Sequence, residues 1–86
     1  MWQMSKKQKL INKLKARTRD FEYDEAETLL IALGFKKSNK GKTSGSRVVF
    51  KRGEVHIRLH KPHPQKELKY YQILKLLQDL INGGFI

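Results

Sequence analysis

Apolar residues recur at helical spacing in three stretches of the chain and alternate with polar ones in a fourth. Between Ser5 and Ala16, Leu10, Ile11 and Leu14 share one side while Lys6, Lys9, Lys13 and Lys15 lie elsewhere, and Ser5 with Gln8 fits a capping box. This predicts a short amphipathic helix. After the break at Arg17-Thr18-Arg19-Asp20, Asp24 reads as an N-cap with Glu27 at the third helical position. Ala26, Leu29, Leu30 and Leu33 follow at helical spacing, and Gly34 closes the segment. A final helix runs from about Tyr70 to Asn82, where Tyr71, Ile73, Leu74, Leu76, Leu77, Leu80 and Ile81 build an apolar face stopped by Gly83-Gly84. Within it, Tyr71 at helical spacing with Leu74 reads as core.

The alternating stretch lies between the second and third helices. Phe35 to Ser38 reads as a first strand, and Asn39 to Gly45 as a polar, glycine-containing connection. Ser46 to Lys51 and Glu54 to Leu59 then form a hairpin around a two-residue Arg52-Gly53 turn. That register pairs Phe50 with Val55, Val48 with Ile57 and Ser46 with Leu59 on an apolar face. On the opposite face it pairs Val49 with His56, Arg47 with Arg58 and Gly45 with His60. Like charges facing each other across a ladder are destabilising unless an anion lies over them, so this face reads as a phosphate-facing surface. The order helix, helix, three strands, helix predicts an α+β domain: a small three-stranded antiparallel sheet with helices on one face and the other face open.

Length and composition narrow the picture. A chain of 86 residues has room for one domain and one modest core. The lack of cysteine removes disulfides, thiolate metal sites and cysteine nucleophiles together. No apolar run reaches the roughly 20 residues of a membrane span or builds a signal-peptide core, which predicts a soluble, cytoplasmic protein with no membrane partner. Net charge is +11 and the pI is about 10.1, an excess beyond ordinary surface balance. It predicts an anionic partner. Nucleic acid is the commonest, because each Lys or Arg that neutralises a phosphate releases condensed counterions.

The residues Gly34-Phe35-Lys36-Lys37, the glycine-containing connection ending in Gly45-Ser46, and the run Pro62-His63-Pro64-Gln65-Lys66-Glu67-Leu68-Lys69 before the Ile73-Leu74 helix resemble HicA toxins. These are the small ribonuclease halves of HicA and HicB toxin-antitoxin pairs. The resemblance covers about Asp24 to Ile81. It implies a fold like that of double-stranded RNA-binding domains, metal-independent cleavage of mRNA without a cofactor, and silencing by a HicB-like antitoxin that covers the active face. A single domain over 1–86 is expected from its length, with residues 1–20 as a helical extension that the usual family chain lacks, on a HicA-like core at 21–86. The family motif after the glycine loop is Gly-Ser-His, with a catalytic histidine. Here the matching positions read Gly45-Ser46-Arg47.

RNA cleavage without a metal needs a base for the ribose 2′-hydroxyl, an acid for the departing 5′-oxygen, and cations around the phosphorane. The imidazoles available are His56, His60 and His63. His60 lies near the glycine end of the hairpin and is the preferred replacement base or acid, with Arg47 as its cationic partner. Phosphate contacts fall to Gly45, Ser46, Arg47, His56, Arg58, Lys61 and His63, the arginines by bidentate hydrogen bonds. His60 and His63 lack the acidic or cysteine partners that make a zinc site, so no metal is expected. Two rivals stand beside the HicA-like endoribonuclease: a non-catalytic RNA-binding module on the same fold, and an adaptor whose basic face meets an acidic protein.

Overall fold

The computed structural model describes residues 5–38, 47–62 and 65–86. The elements in chain order are α1 (Lys6–Lys15), α2 (Tyr23–Ala32), β1 (Lys36–Ser38), β2 (Arg47–Arg52), β3 (Val55–His60) and α3 (Tyr70–Asn82). The strands form one antiparallel sheet in the order β1-β2-β3. α2 covers the inner face beside β1 and α3 beside β3, and α1 packs against both helices. The architecture is α+β, with all helices away from one sheet face.

α1 begins as its sequence predicts: Ser5 is the N-cap and its Oγ accepts the Gln8 N–H at 3.1 Å. α2 starts earlier than the Asp24 cap predicts. Its N-cap is Glu22, whose N–H donates to Glu25 Oε1 at 2.9 Å, and Glu25 also receives Lys13 Nζ from α1 at 2.8 Å. The tertiary ion pair and the cap use one carboxylate, and that selects Glu22 over Asp24. At the start of the helix, the Tyr23 N–H donates to the Lys66 carbonyl and the Leu68 N–H to the Phe21 carbonyl. This short bridge ties the entry of α2 to the entry of α3 and leaves the two N-termini side by side.

The other ends of the two helices are matched as well. Phe35 N–H donates to the Leu30 carbonyl and Gly34 N–H to Ile31; Phe85 N–H donates to Leu80 and Gly84 N–H to Ile81. Both are Schellman caps, with Gly34 at φ +96° and Gly84 at φ +75° in the left-handed region that a side chain disfavours. Each cap throws a phenylalanine back under the sheet, and the rings of Phe35 and Phe85 meet edge to face at 5.0 Å. The core joins Leu10, Ile11 and Leu14 of α1 to Leu29 and Leu30 of α2, Phe50, Ile57 and Leu59 of the sheet, and Ile73, Leu76, Leu77 and Leu80 of α3. Burying each such side chain contributes about 1.5–3 kcal/mol. On α3 this stripe leaves Tyr71, Leu74 and Ile81 exposed, Tyr71 by 60%, which corrects the expectation that Tyr71 is core.

The hairpin register also differs from expectation. The turn is Gly53-Glu54, and the ladder pairs Arg47 with His60, Val48 with Leu59, Val49 with Arg58, Phe50 with Ile57, Lys51 with His56 and Arg52 with Val55. Gly53 has φ +59°, as the first central position of a type II′ turn requires, whereas an Arg52-Gly53 turn of type I′ would force Arg52 to positive φ. The slip is two residues, so the faces survive while the partners change. Arg47 faces His60, and the predicted direct Arg47–Arg58 opposition does not occur.

Candidate nucleic-acid interface

Strand alternation places Lys36 and Ser38 of β1, Arg47, Val49 and Lys51 of β2, and His56, Arg58 and His60 of β3 on the open face. They form three rows across the sheet: Arg47 with His60, then Ser38, Val49 and Arg58, then Lys36, Lys51 and His56. No acidic residue occupies a position on this face. On the inner side of β1, by contrast, Lys37 is ion-paired to Glu27 at 3.5 Å. The carboxylates lie on the helices, in their connections and in the hairpin turn, so the charged side chains of the open face are all basic.

Arg47 and His60 sit where the hairpin rim meets the helix entries. An open concavity of about 570 Å³ is lined by Arg47, Val49, Arg58, Leu59 and His60. Both Arg58 and His60 are exposed. Their backbone geometry brings the side chains of the first row together. A two-residue turn makes Arg52–Val55 a hydrogen-bonded pair, so by alternation Arg47–His60, Val49–Arg58 and Lys51–His56 are non-hydrogen-bonded pairs, whose side chains approach more closely. In agreement, the His60 N–H points away from β2 and donates to Gln72 Oε1 on α3 at 2.9 Å. Gln72 is buried, 6% exposed, and its place in a predicted helix gave no sign of this role.

The remaining sequence candidates divide by position. Lys61 follows β3 directly, and its ammonium lies 5.8 Å from the centre of the Tyr23 ring, above the entry of α2. His56 lies at the opposite end of the open face, four residues along β3 from His60, about 13 Å away. Gly45, Ser46 and His63 lie outside the described residues, as does the 39–45 connection. Arg19 stacks on Tyr70 at 4.1 Å, which commits one face of that ring to protein. Among the described residues no three His, Asp or Glu side chains converge as a metal site requires.

The fold is thus a small α+β domain with a basic sheet face that carries no acidic residue and an Arg–His pair at its rim. Residues 23–80 match the model of the family described as the HicA toxin of bacterial toxin-antitoxin, and the chain belongs to that family: it is the toxin of a toxin-antitoxin pair. No curated protein and no solved structure matches the chain. The matched span begins at α2, so α1 lies outside it while still supplying Leu10, Ile11 and Leu14 to the core. No helix among the described residues is long and apolar enough to cross a membrane.

Proposed function

We propose that the protein is a HicA-like endoribonuclease that cleaves mRNA in the cytoplasm without a metal and is neutralised by a HicB-like antitoxin. The observation that carries this reading is the direct cross-strand pairing of Arg47 with His60 on the open face. Arg47 occupies the position where the HicA motif has histidine, and the ladder sets another histidine opposite it. An imidazole and a guanidinium on one row supply the two elements that cleavage needs first. The His60 imidazole takes the proton of the ribose 2′-hydroxyl, the 2′-oxygen attacks phosphorus, and Arg47 neutralises the non-bridging oxygens as charge builds. The P–O5′ bond breaks, leaving a 2′,3′-cyclic phosphate and a 5′-hydroxyl. The departing oxygen takes its proton from a second acid, for which the sequence offers His63.

Arg58 joins Arg47 and His60 in the concavity and serves as a phosphate contact; Lys61, which follows β3 directly and lies by the Tyr23 ring, is a further candidate outside the concavity. An antitoxin that covers this face offers acidic groups to the same cations. The second reading, a non-catalytic RNA-binding module, is favoured by arginine at the motif's histidine position, since arginine is a poor base at neutral pH.

Cleavage of a labelled single-stranded RNA in EDTA separates the two. The expected result is cleavage that is lost when the ribose at the scissile site is 2′-deoxy and lost in His60→Ala. Binding of full-length RNA without products at any pH assigns the module instead.

A further inference from the structure

The row of Lys36, Lys51 and His56 has no part in the chemistry at the opposite end of the sheet, yet it concentrates charge against the cost of doing so. Lys36 and Lys51 are direct cross-strand partners, and Lys51 in turn faces His56. Like charges set opposite each other across a ladder are destabilising. Neither lysine is ion-paired within the described residues, although the neighbouring Lys37 on the inner face is. A concavity of about 500 Å³ opens beside this row; Lys36 and Lys51 line it from the open face, while Lys37, paired to Glu27, and Arg52, over the Phe85 ring, reach it from the inner side.

Spacing indicates what fits. Successive rows are two residues apart along the strands, about 6.7 Å, and the first and third rows about 13 Å. Neighbouring phosphates of a single strand drawn out to roughly twice the 3.4 Å rise per nucleotide of a stacked strand have the same separation. From this we infer that Lys36 and Lys51 form a second phosphate subsite, so that a single-stranded RNA lies along the strands, one phosphate at Arg47–His60, the next at Arg58 and a third at Lys36–Lys51. The inference rests on the RNA-acting reading above and adds to it the path of the substrate.

The test is binding of a labelled single-stranded 12-mer and of a dinucleotide to the full chain, as a function of salt, for the parent protein, for Lys36→Gln/Lys51→Gln, and for Lys6→Gln/Lys7→Gln on α1 as an equal-charge control. Losing the one phosphate held at this subsite lowers the slope of log K against log salt by about 0.7, so the sensitivity of 12-mer binding between 50 and 200 mM salt falls about 2.5-fold. Dinucleotide binding stays within twofold, and the control keeps the parent slope. The double variant also melts no lower than the parent, because a repulsive pair has been removed. An unchanged slope, or an equal fall in the control, overturns the subsite while leaving the Arg47–His60 reading intact. Absence of salt-dependent RNA binding by the parent overturns both.

Discussion

The backbone N–H of His60 donates to the side-chain oxygen of Gln72, so a buried residue in the first turn of α3 closes the end of an edge strand. An edge strand presents unpaired N–H groups, and here the last of them is met from the helix layer rather than left to solvent. The contact fixes the height of the His60 backbone relative to α3. It therefore sets the side chain that faces Arg47.

Replacing Gln72 by Leu keeps the volume and removes the acceptor. The unsatisfied N–H costs about 1–3 kcal/mol of stability. The His60 amide exchanges faster with solvent deuterium than its neighbours on the inner face, and RNA cleavage falls more than RNA binding. Unchanged exchange at His60 would show that the strand end is held by something else.

Arg47 is expected to hold phosphate with a fork of hydrogen bonds. Arg47→Lys keeps the charge but loses the bidentate geometry, and Arg47→Ala loses both. Charge-assisted hydrogen bonds contribute about 1.5–3 kcal/mol, so RNA affinity in the alanine variant falls about 10-fold to 100-fold, with the lysine variant between it and the parent. Equilibrium binding of single-stranded RNA at fixed salt measures both. Equal affinity for all three proteins would remove Arg47 from the interface.

Which parts of this molecule can be read from its residues follows from the range of the interactions involved. The open face was legible because strand parity depends only on alternation, and a two-residue slip moves every partner without turning any side chain over. The partners themselves were not: Arg52-Gly53 and Gly53-Glu54 are both two-residue glycine turns, and the choice between them depends on which position takes positive φ. Periodicity found α3 but could not tell its buried stripe at Ile73, Leu76, Leu77 and Leu80 from the flanking Tyr71 and Leu74, because all six are apolar and only the packing of the sheet separates them. The start of α2 was missed because Glu25 is chosen as capping partner by Lys13, twelve residues earlier. Gln72 was invisible for the same reason; its function exists only once β3 lies beside α3.

Glu25 joins cap and ion pair, so its removal should cost more than either alone. The Lys13 ammonium is held above its ordinary range, first by its hydrogen bond to Glu25 and against the opposing effect of partial burial. Glu25→Ala loses the capping acceptor, about 1 kcal/mol, plus a partly exposed pair contributing up to about 1 kcal/mol more. Lys13→Met loses only the second. Chemical denaturation at pH 7 orders the proteins parent, Lys13→Met, Glu25→Ala by decreasing stability; the reverse order for the two variants would show that the cap carries little.

Tyr23 gives the fold a weakness on the alkaline side. Its ring is buried, 4% exposed, and burial pushes the phenol far above the ordinary tyrosine range, with the Glu27 carboxylate adding to the effect. Glu27 acts here through its charge, since the Tyr23 hydroxyl has no partner in hydrogen-bond geometry among the described residues. A folded-state pKa above the unfolded value means that the folded chain holds its proton longer. The stabilisation is complete below the unfolded tyrosine value near 10 and is lost as pH rises beyond it, by about 1.4 kcal/mol at pH 11. Tyr23→Phe removes this dependence, because phenylalanine has no proton to lose in either state. At pH 7 the variant is expected to be as stable as the parent or slightly more so, since the hydroxyl removed is buried without a partner. Denaturant melts of the two proteins at pH 7 and pH 11 test both statements together. A gap that widens with pH in favour of phenylalanine is the expected result, whereas a phenylalanine variant weaker at pH 7 by more than 1 kcal/mol would show that the Tyr23 hydroxyl is bonded in solution.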